Sequence, residues 1–328
     1  MIPIGKFLMV WYASQLLKVY NSLDEAIRAA VESGFTGIMP KIANGNYAWL
    51  PGKPEAQGLP ELIALARENN LKVHTWMYSY GQDLVGELAA IKAAYGIYGG
   101  DSFTINAEAE YKRKGAGVVA TNLTTRLRAE LSGVTLGYTS YRFPTKHGEW
   151  PPGAGNGFPF REFQAGCDFA MPQLYFVGAH NPAEQLETSK REYDALPASR
   201  PYVPIGSGYN TAVWTPTPAD LDELDAKAHE LGLKAISWWR WDTAVFLGLW
   251  PTIAAHYWPV TQPPQKIHWS QASASLKDYV LYRAAQQLGL VDGYGYILIE
   301  PPEVFVPISI RLRRTIQSFQ VMLSGKSE

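Results

Sequence analysis

Cysteine is almost missing from this chain. A single residue, Cys167, occurs among 328, which excludes an intramolecular disulfide and any zinc site built on several cysteines. The six histidines show no HExxH or other paired spacing on a common element, so neither a catalytic metal nor any other cofactor is expected. No stretch reaches the roughly 18 consecutive apolar residues that cross a bilayer, so no membrane span is expected. Neither sign of charge dominates: 29 Lys+Arg stand against 30 Asp+Glu, a formal net charge of -1. That balance argues against a nucleic-acid partner, which would need clustered positive charge. Charged residues make up only 18% of the chain, below the usual share of about a quarter. No glycine-rich phosphate fingerprint follows the first apolar run, which disfavours an open doubly wound sheet. Residues 7–17 (FLMVWYASQLL) lack a cationic leader and a small-x-small cleavage site, so they read as a strand rather than a signal segment. The expected setting is therefore cytoplasmic, or outside the cell by release or phage association.

Apolar and aromatic residues are abundant. Hydrophobic residues reach 47%, enough for a sizeable core, and 13% of the chain is aromatic, with 11 Trp and 19 Tyr. Short apolar or β-branched runs begin near Phe7, Phe35, Leu71, Ser102, Val134, Asp168, Tyr202 and Lys234. Their spacing, about 30 residues, is that of one strand–helix unit. Helix ends are legible between them. Ser22 with Glu25 reads as a capping box closed by Gly34, and Thr217, Pro218 and Asp220 mark another start, with Gly232 as its stop. Segments 82–96, 181–196 and 245–257 read as helical. Eight such units over residues 1–258 fit a (β/α)8 TIM barrel. Residues 259–264 (PVTQPP) read as a linker, and 265–328 as a C-terminal extension that packs on the barrel or on a protein partner. Its features are a helical run over 276–288, an apolar segment over 296–310 and a basic stretch over 311–314.

The fourth strand carries the chemistry. Alternate residues share a face of a strand, so Phe103, Ile105 and Ala107 should meet the helices, while Thr104, Asn106, Glu108 and Glu110 point inward and climb to the mouth. Charge inside a barrel is costly unless paired or used. Residues two apart on a strand lie about 6.5 to 7 Å apart, and paired carboxyls at about 5.5 Å or wider suit retaining or inverting glycoside hydrolysis. The plain alternative is that Glu108 pairs with Lys41 or Arg240 and that Glu110 is solvated. Aromatic residues at the other strand ends (Trp76, Tyr78 and Tyr80; Tyr175 and Phe176; Tyr209; Trp238, Trp239 and Trp241) would suit stacking on sugar rings. The long loop 142–166 follows the fifth strand on the face where barrel active sites are built. Cys167 reads as a small buried hydrophobe, and Gly206-Ser207-Gly208 lacks the surroundings of a nucleophile elbow.

Residues 101–108 (DSFTINAE) resemble a degenerate form of the strand-four motif DGxDxDxE of family 18 chitinases, and are similar to the D-x-E of family 25 muramidases. Residues 171–175 (MPQLY) are similar to the strand-six region of such barrels, and 238–242 (WWRWD) to their tryptophan-bearing last strand. The resemblance covers about 258 residues in architecture, and it extends to glycosidase-like barrels of which some are phage-encoded. It implies a glycoside hydrolase with Glu108 as general acid, acting on a polysaccharide such as chitin or peptidoglycan. Thr104 and Asn106 stand where the family has aspartates, and the first strand lacks the aspartate of family 25. On this reading Glu110 is the first choice for a second carboxylate, with Asp83 and Asp242 as the others. Asn106, Lys41, Trp76, Tyr78, Tyr175, Tyr209, Trp238 and Asp242 are the expected sugar contacts. The alternative is a barrel that binds glycans, or serves as a structural subunit, without hydrolysing them.

Overall fold

The computed structural model describes residues 1–148 and 157–258, together with the backbone of Lys266–His268 and Tyr296–Leu298. Eight parallel strands form the centre: β1 (Gly5–Val10), β2 (Gly37–Asn44), β3 (Lys72–Ser79), β4 (Ser102–Ala107), β5 (Leu136–Tyr141), β6 (Phe169–Gln173), β7 (Ile205–Ser207) and β8 (Ala235–Trp239). Each pairs with its neighbours in sequence order, and β8 returns to β1, Gly5 opposite Ala235 and Leu8 opposite Trp238, so the sheet closes. A two-residue strand, Tyr47–Ala48, adds antiparallel to β2. The main helices that follow the strands are α1 (Leu23–Glu32), α2 (Leu59–Glu68), α3 (Leu84–Tyr98), α4 (Ala116–Glu130), α5 (Phe160–Gly166), α6 (Pro182–Asp194), α7 (Pro218–Glu230) and α8 (Trp250–Ala255). This is a (β/α)8 barrel.

Strand alternation sorts the core into two layers. Phe7, Met9, Met39, Trp76, Phe169, Met171, Val203, Ile205 and Ala235 fill the barrel. Leu8, Val10, Ile38, Phe103, Ile105, Ala170, Ile236 and Trp238 face the apolar stripes of the helices. A lysine also lies in that outer layer. Lys6 is fully buried and donates to the carbonyls of Ile253, Ala254 and His256 at 3.0, 3.0 and 2.7 Å, closing the C-terminal end of α8. Burial pushes its pKa down to about 7.

Local chemistry sets the helix ends. Thr217 and Asp220 form the full reciprocal capping box of α7. At α1 only half of the expected box forms. Ser22 Oγ accepts from the Glu25 amide at 3.1 Å, but the Glu25 carboxylate turns to Asn21, whose backbone and side-chain amides reach it at 2.9 and 2.8 Å. Two donors there outcompete the single Ser22 amide. Gly34 and Gly232 both take positive φ, at +71° and +66°. Residues 245–257 are not one helix: Gly248, at φ +70°, separates Trp241–Phe246 from α8. The seventh strand is shorter than read from Tyr202, because Pro201 and Pro204 bring no amide to the ladder; only an isolated bridge links Tyr202 to Ala170 before β7 begins.

The chain separates into two compact units, Met1–Trp258 and Pro259–Glu328. In the second, Lys266–His268 pairs antiparallel with Tyr296–Leu298. The expected linker, the helical run over 276–288, the basic stretch and any docking of the extension on the barrel or a partner lie outside the described residues. Among the described residues, no helix is long and apolar enough to cross a membrane.

Candidate active site

The C-terminal mouth holds a cavity of about 220 Å³ lined by Met9, Asn106, Glu108, Thr139, Gln173, Tyr175, Ile205 and Trp239. Parity on β4 places its acid. Ile105 and Ala107 pack outward, Asn106 faces in, and the chain leaves the strand at Glu108 before the 3-10 turn Ala109–Tyr111. Glu108 Oε1 accepts from Asn106 Nδ2 at 3.0 Å and from Gln173 Nε2 at 2.9 Å. Gln173 Nε2 also reaches Asn106 Oδ1 at 3.1 Å. The three side chains thus form a closed amide–carboxyl cluster. Both of these donors meet Oε1, and neither meets Oε2.

Glu110 turns elsewhere. Tyr78 Oη donates to its Oε2 at 2.8 Å, and Glu110 is not among the residues that line the cavity. The two carboxylates therefore answer to different partners. The alternative candidates for a second carboxylate are also occupied. Asp83 caps α3, accepting from the Gly86 amide at 2.9 Å and Asn46 Nδ2 at 3.1 Å, which hold its pKa below the usual range. Asp242 pairs with the Arg240 guanidinium at 2.7 Å.

Lys41 forms no ion pair with Glu108 or any other carboxylate within 4.0 Å among the described residues. Its Nζ donates to Asn44 Oδ1 at 2.8 Å and lies 5.1, 5.2, 5.5 and 5.8 Å from the rings of Trp49, Trp76, Trp11 and Tyr78. Burial pushes its pKa down to about 8, against the opposing pull of Glu108. The plain pairing of Glu108 with Lys41 or Arg240 is thus not what the fold adopts.

Aromatic rings form a continuous wall. Trp49 stacks on Tyr12 at 4.9 Å, Tyr12 on Trp11 at 5.7 Å, Trp11 meets Trp239 at 5.7 Å, and Trp239 meets Trp76 edge-on at 5.6 Å. Trp76 is 1% exposed and donates to the Met39 carbonyl at 2.8 Å, so it supports the floor rather than offering a free face. Tyr175 and Tyr209 pack edge to face at 5.3 Å on the opposite side. Burial raises both phenol pKa values, with Glu108 adding to the rise, so both hydroxyls remain protonated donors. Tyr78 is raised too, by burial and by the Glu110 bond.

Trp238 is a correction. It is fully buried in the layer between barrel and helices, packed across Gly206 and near the His256 ring, and it cannot reach a sugar at the mouth. A Cβ on Gly206 would lie 2.6 Å from its indole, so the strand leaves that space for the ring. Trp239 takes the place expected of it. A signal for this was present: Ile236 and Trp238 alternate with Ser237 and Trp239, and the rule applied to β4 would have sent the Ile236 parity outward. Gln173 was overlooked for a similar reason, although it shares parity with the inward Phe169 and Met171. The peptide between Trp239 and Arg240 is cis.

After β5, the loop is tied back to the rim. His147 stacks on Tyr141 at 3.9 Å, and its Nδ1 lies 2.6 Å from Lys112 Nζ. Burial, with Lys112 next, pushes the His147 pKa down to about 4, so the ring is the neutral acceptor of the pair. Residues 149–156 of the expected loop lie outside the described residues. Cys167 is buried and its thiol is pushed up to about 12 by burial, which makes it inert. Among the described residues, no group of three or more His, Cys, Asp or Glu side chains is placed to hold a metal ion.

No protein-family model matches the chain, and no curated protein does. Solved structures match its fold. The glycoside hydrolase domain of PgaB (BpsB) from Bordetella bronchiseptica aligns with TM-score 0.57 at 11% identity, covering 77% of this chain and 99% of that one. A plant class V chitinase mutant from Cycas revoluta, in complex with (GlcNAc)3, aligns at 0.56 with 12% identity, over 76% and 98%. The spore cortex-lytic enzyme SleL from Bacillus megaterium QM B1551 aligns at 0.51 with 10% identity, over 77% and 74%. At such identities the likeness establishes the barrel and leaves the chemistry to the residues of the mouth.

Proposed function

We propose that this barrel is a glycoside hydrolase acting on an amino-sugar polymer, chitin or peptidoglycan, with Glu108 as general acid. One observation supports the reading: Glu108 is the one carboxyl among the described residues that lines the mouth cavity, and two amide donors hold its Oε1 while Oε2 takes neither of them. Glycosidases need a carboxylic acid beside the scissile oxygen. A lone acid suffices when the substrate's own acetamido oxygen attacks the anomeric carbon. Glu108 Oε2 then protonates the leaving oxygen, and the resulting carboxylate later takes a proton from the water that opens the cyclic intermediate. That route calls for a 2-acetamido sugar, which is why an amino-sugar polymer is preferred. The fold relatives named as chitinase and cortex-lytic enzyme support the same choice by analogy.

The other residues take supporting parts. Asn106 gives its amide to Glu108 and its oxygen to Gln173, so it positions the acid. Tyr175 offers a protonated hydroxyl, Trp239 a face, and Tyr209 backs Tyr175. Lys41, Trp76, Tyr78 and Glu110 lie on the adjoining wall.

The test is reducing-end release from chitin and peptidoglycan by the wild type and Glu108→Gln. We expect a loss of roughly 100-fold to 10,000-fold in the variant; undiminished release would overturn the assignment. A second reading, a glycan-binding or structural barrel without hydrolysis, is favoured by one fact: among the described residues no second carboxylate lines the cavity. Absence of release from every polymer, with both proteins folded, decides for it.

Asn106→Asp probes the positioning part. It removes a donor from Glu108 and sets a like charge beside it, and should change kcat/KM on the same polymers by about tenfold; an unchanged value would mean that Asn106 does not position the acid.

A further inference from the structure

Trp11 differs from the other indoles of the wall. It follows β1 directly and is 36% exposed, whereas Trp49 and Trp76 are 2% and 1% exposed. Two cations flank it: Lys41 Nζ and the Arg240 guanidinium each lie 5.5 Å from its ring. They are not equivalent. The charge of Arg240 is met by Asp242 at 2.7 Å, while Lys41 has no carboxylate within 4.0 Å among the described residues: it contacts the neutral oxygen of Asn44 and the faces of four rings, and feels Glu108 only from beyond that distance. Rings hold an ammonium in place without cancelling its charge. A cation without an ion pair at a nearly buried position is costly to fold around, and this one stands beside a partly exposed indole.

We propose that Trp11 and Lys41 form a subsite for a sugar residue that carries a carboxylate, a uronic or a muramic acid unit. The inference rests on the reading of the mouth as a glycan cleft, and it narrows the substrate class from neutral to acidic polymers. Trp11 supplies the plane on which a pyranose ring stacks. Lys41 supplies the discrimination: its charge acts across low-dielectric aromatic packing rather than through bulk water, and a neutral sugar gains nothing from it. Because the rings already fix the ammonium, little side-chain freedom is lost when the carboxylate arrives.

The test is calorimetric binding to the full chain, wild type and Glu108→Gln, the latter to keep the ligands intact. The ligands are chito-oligosaccharides, peptide-free glycan strands of peptidoglycan and hyaluronan oligosaccharides of matched length, the last two also with their carboxyls reduced to alcohols. The carboxylated forms should bind at least about tenfold more tightly than their reduced forms. Which carboxylated ligand shows the larger gap, muramic or uronic, identifies the source of the acid. Lys41→Met should abolish the gap, and Trp11→Ala should weaken all ligands together. The wild-type comparison alone is decisive if either variant fails to fold. Equal binding of carboxylated and reduced forms overturns the subsite and leaves the glycan reading standing. Binding of no oligosaccharide at all overturns both.

Discussion

Trp238 and Trp239 are chemically identical neighbours with opposite duties, and substitution should separate them. Trp238 is walled in by Gly206 and the α7 residue Leu224. Truncation to alanine there empties a large core site and should cost about 3–5 kcal/mol in chemical denaturation. Trp239 lines the cavity and is half-buried. Its truncation should leave stability within about 1 kcal/mol of the wild type while weakening oligosaccharide binding about tenfold, measured by titration. A result in which both variants lose stability alike would place Trp239 in the core instead. The sequence makes the pair hard to assign because both residues are equally apolar; only the small polar Ser237 just before them, which shares the parity of Trp239, distinguishes the two faces.

At the level of elements, the loop that joins β3 to α3 shows how backbone and buried charge cooperate. Glu87 of α3 is 1% exposed, and its carboxylate accepts from Ser79 Oγ at 2.5 Å and from the Tyr80 and Gly81 amides at 3.0 and 2.7 Å. Burial nonetheless raises its pKa. Ser79 Oγ also meets Tyr111 Oη at 2.7 Å, so the network reaches the 3-10 turn that carries Glu110. Gly81 sits at φ +63°, and an added Cβ would come 2.6 Å from the Tyr111 ring. Gly81→Ala should therefore destabilise the protein by about 1–3 kcal/mol, combining backbone strain with displacement of Tyr111. Thermal unfolding checks this, and an unchanged midpoint would mean that the turn yields freely. None of this network is legible in the sequence, since a helix-borne glutamate gives no sign of turning back into a loop. Strand parity was legible, by contrast: Phe103, Ile105 and Ala107 face the helices as the alternation predicts, and Asn106 faces in. The eight strands and the caps of α7 could be read because they depend on neighbours in sequence. The pairing of Glu108 with Gln173 could not, because it depends on which strands the closed barrel sets side by side.

For the whole molecule, acid stability should carry the signature of buried histidines, with His74 the most shifted. His74 lies 1% exposed inside the barrel, with Nδ1 at 2.7 Å from Ser102 Oγ and, among the described residues, no partner for Nε2. A proton would add a buried charge and a donor with nothing to meet it, so burial pushes the pKa down to about 3. An unfolded histidine titrates near 6.5. Between those values the unfolded chain takes up a proton that the folded chain refuses, so stability falls as pH drops from about 6.5 to 3, by up to about 1.4 kcal/mol per pH unit. His74→Gln should flatten the denaturation free energy over that range by the same slope; parallel curves for the two proteins would show that the ring protonates in the fold. The closure of the barrel bears on a different moment in the life of the protein. One edge of β1 stays unpaired until Ala235–Trp239 exists, and a ribosome needs roughly ten to fifty seconds to lengthen the chain that far. Throughout that interval the nascent chain carries an open apolar strand edge, the kind of template on which chains associate wrongly. The wait for the eighth strand is therefore an interval of exposure that no strength of the finished barrel can shorten.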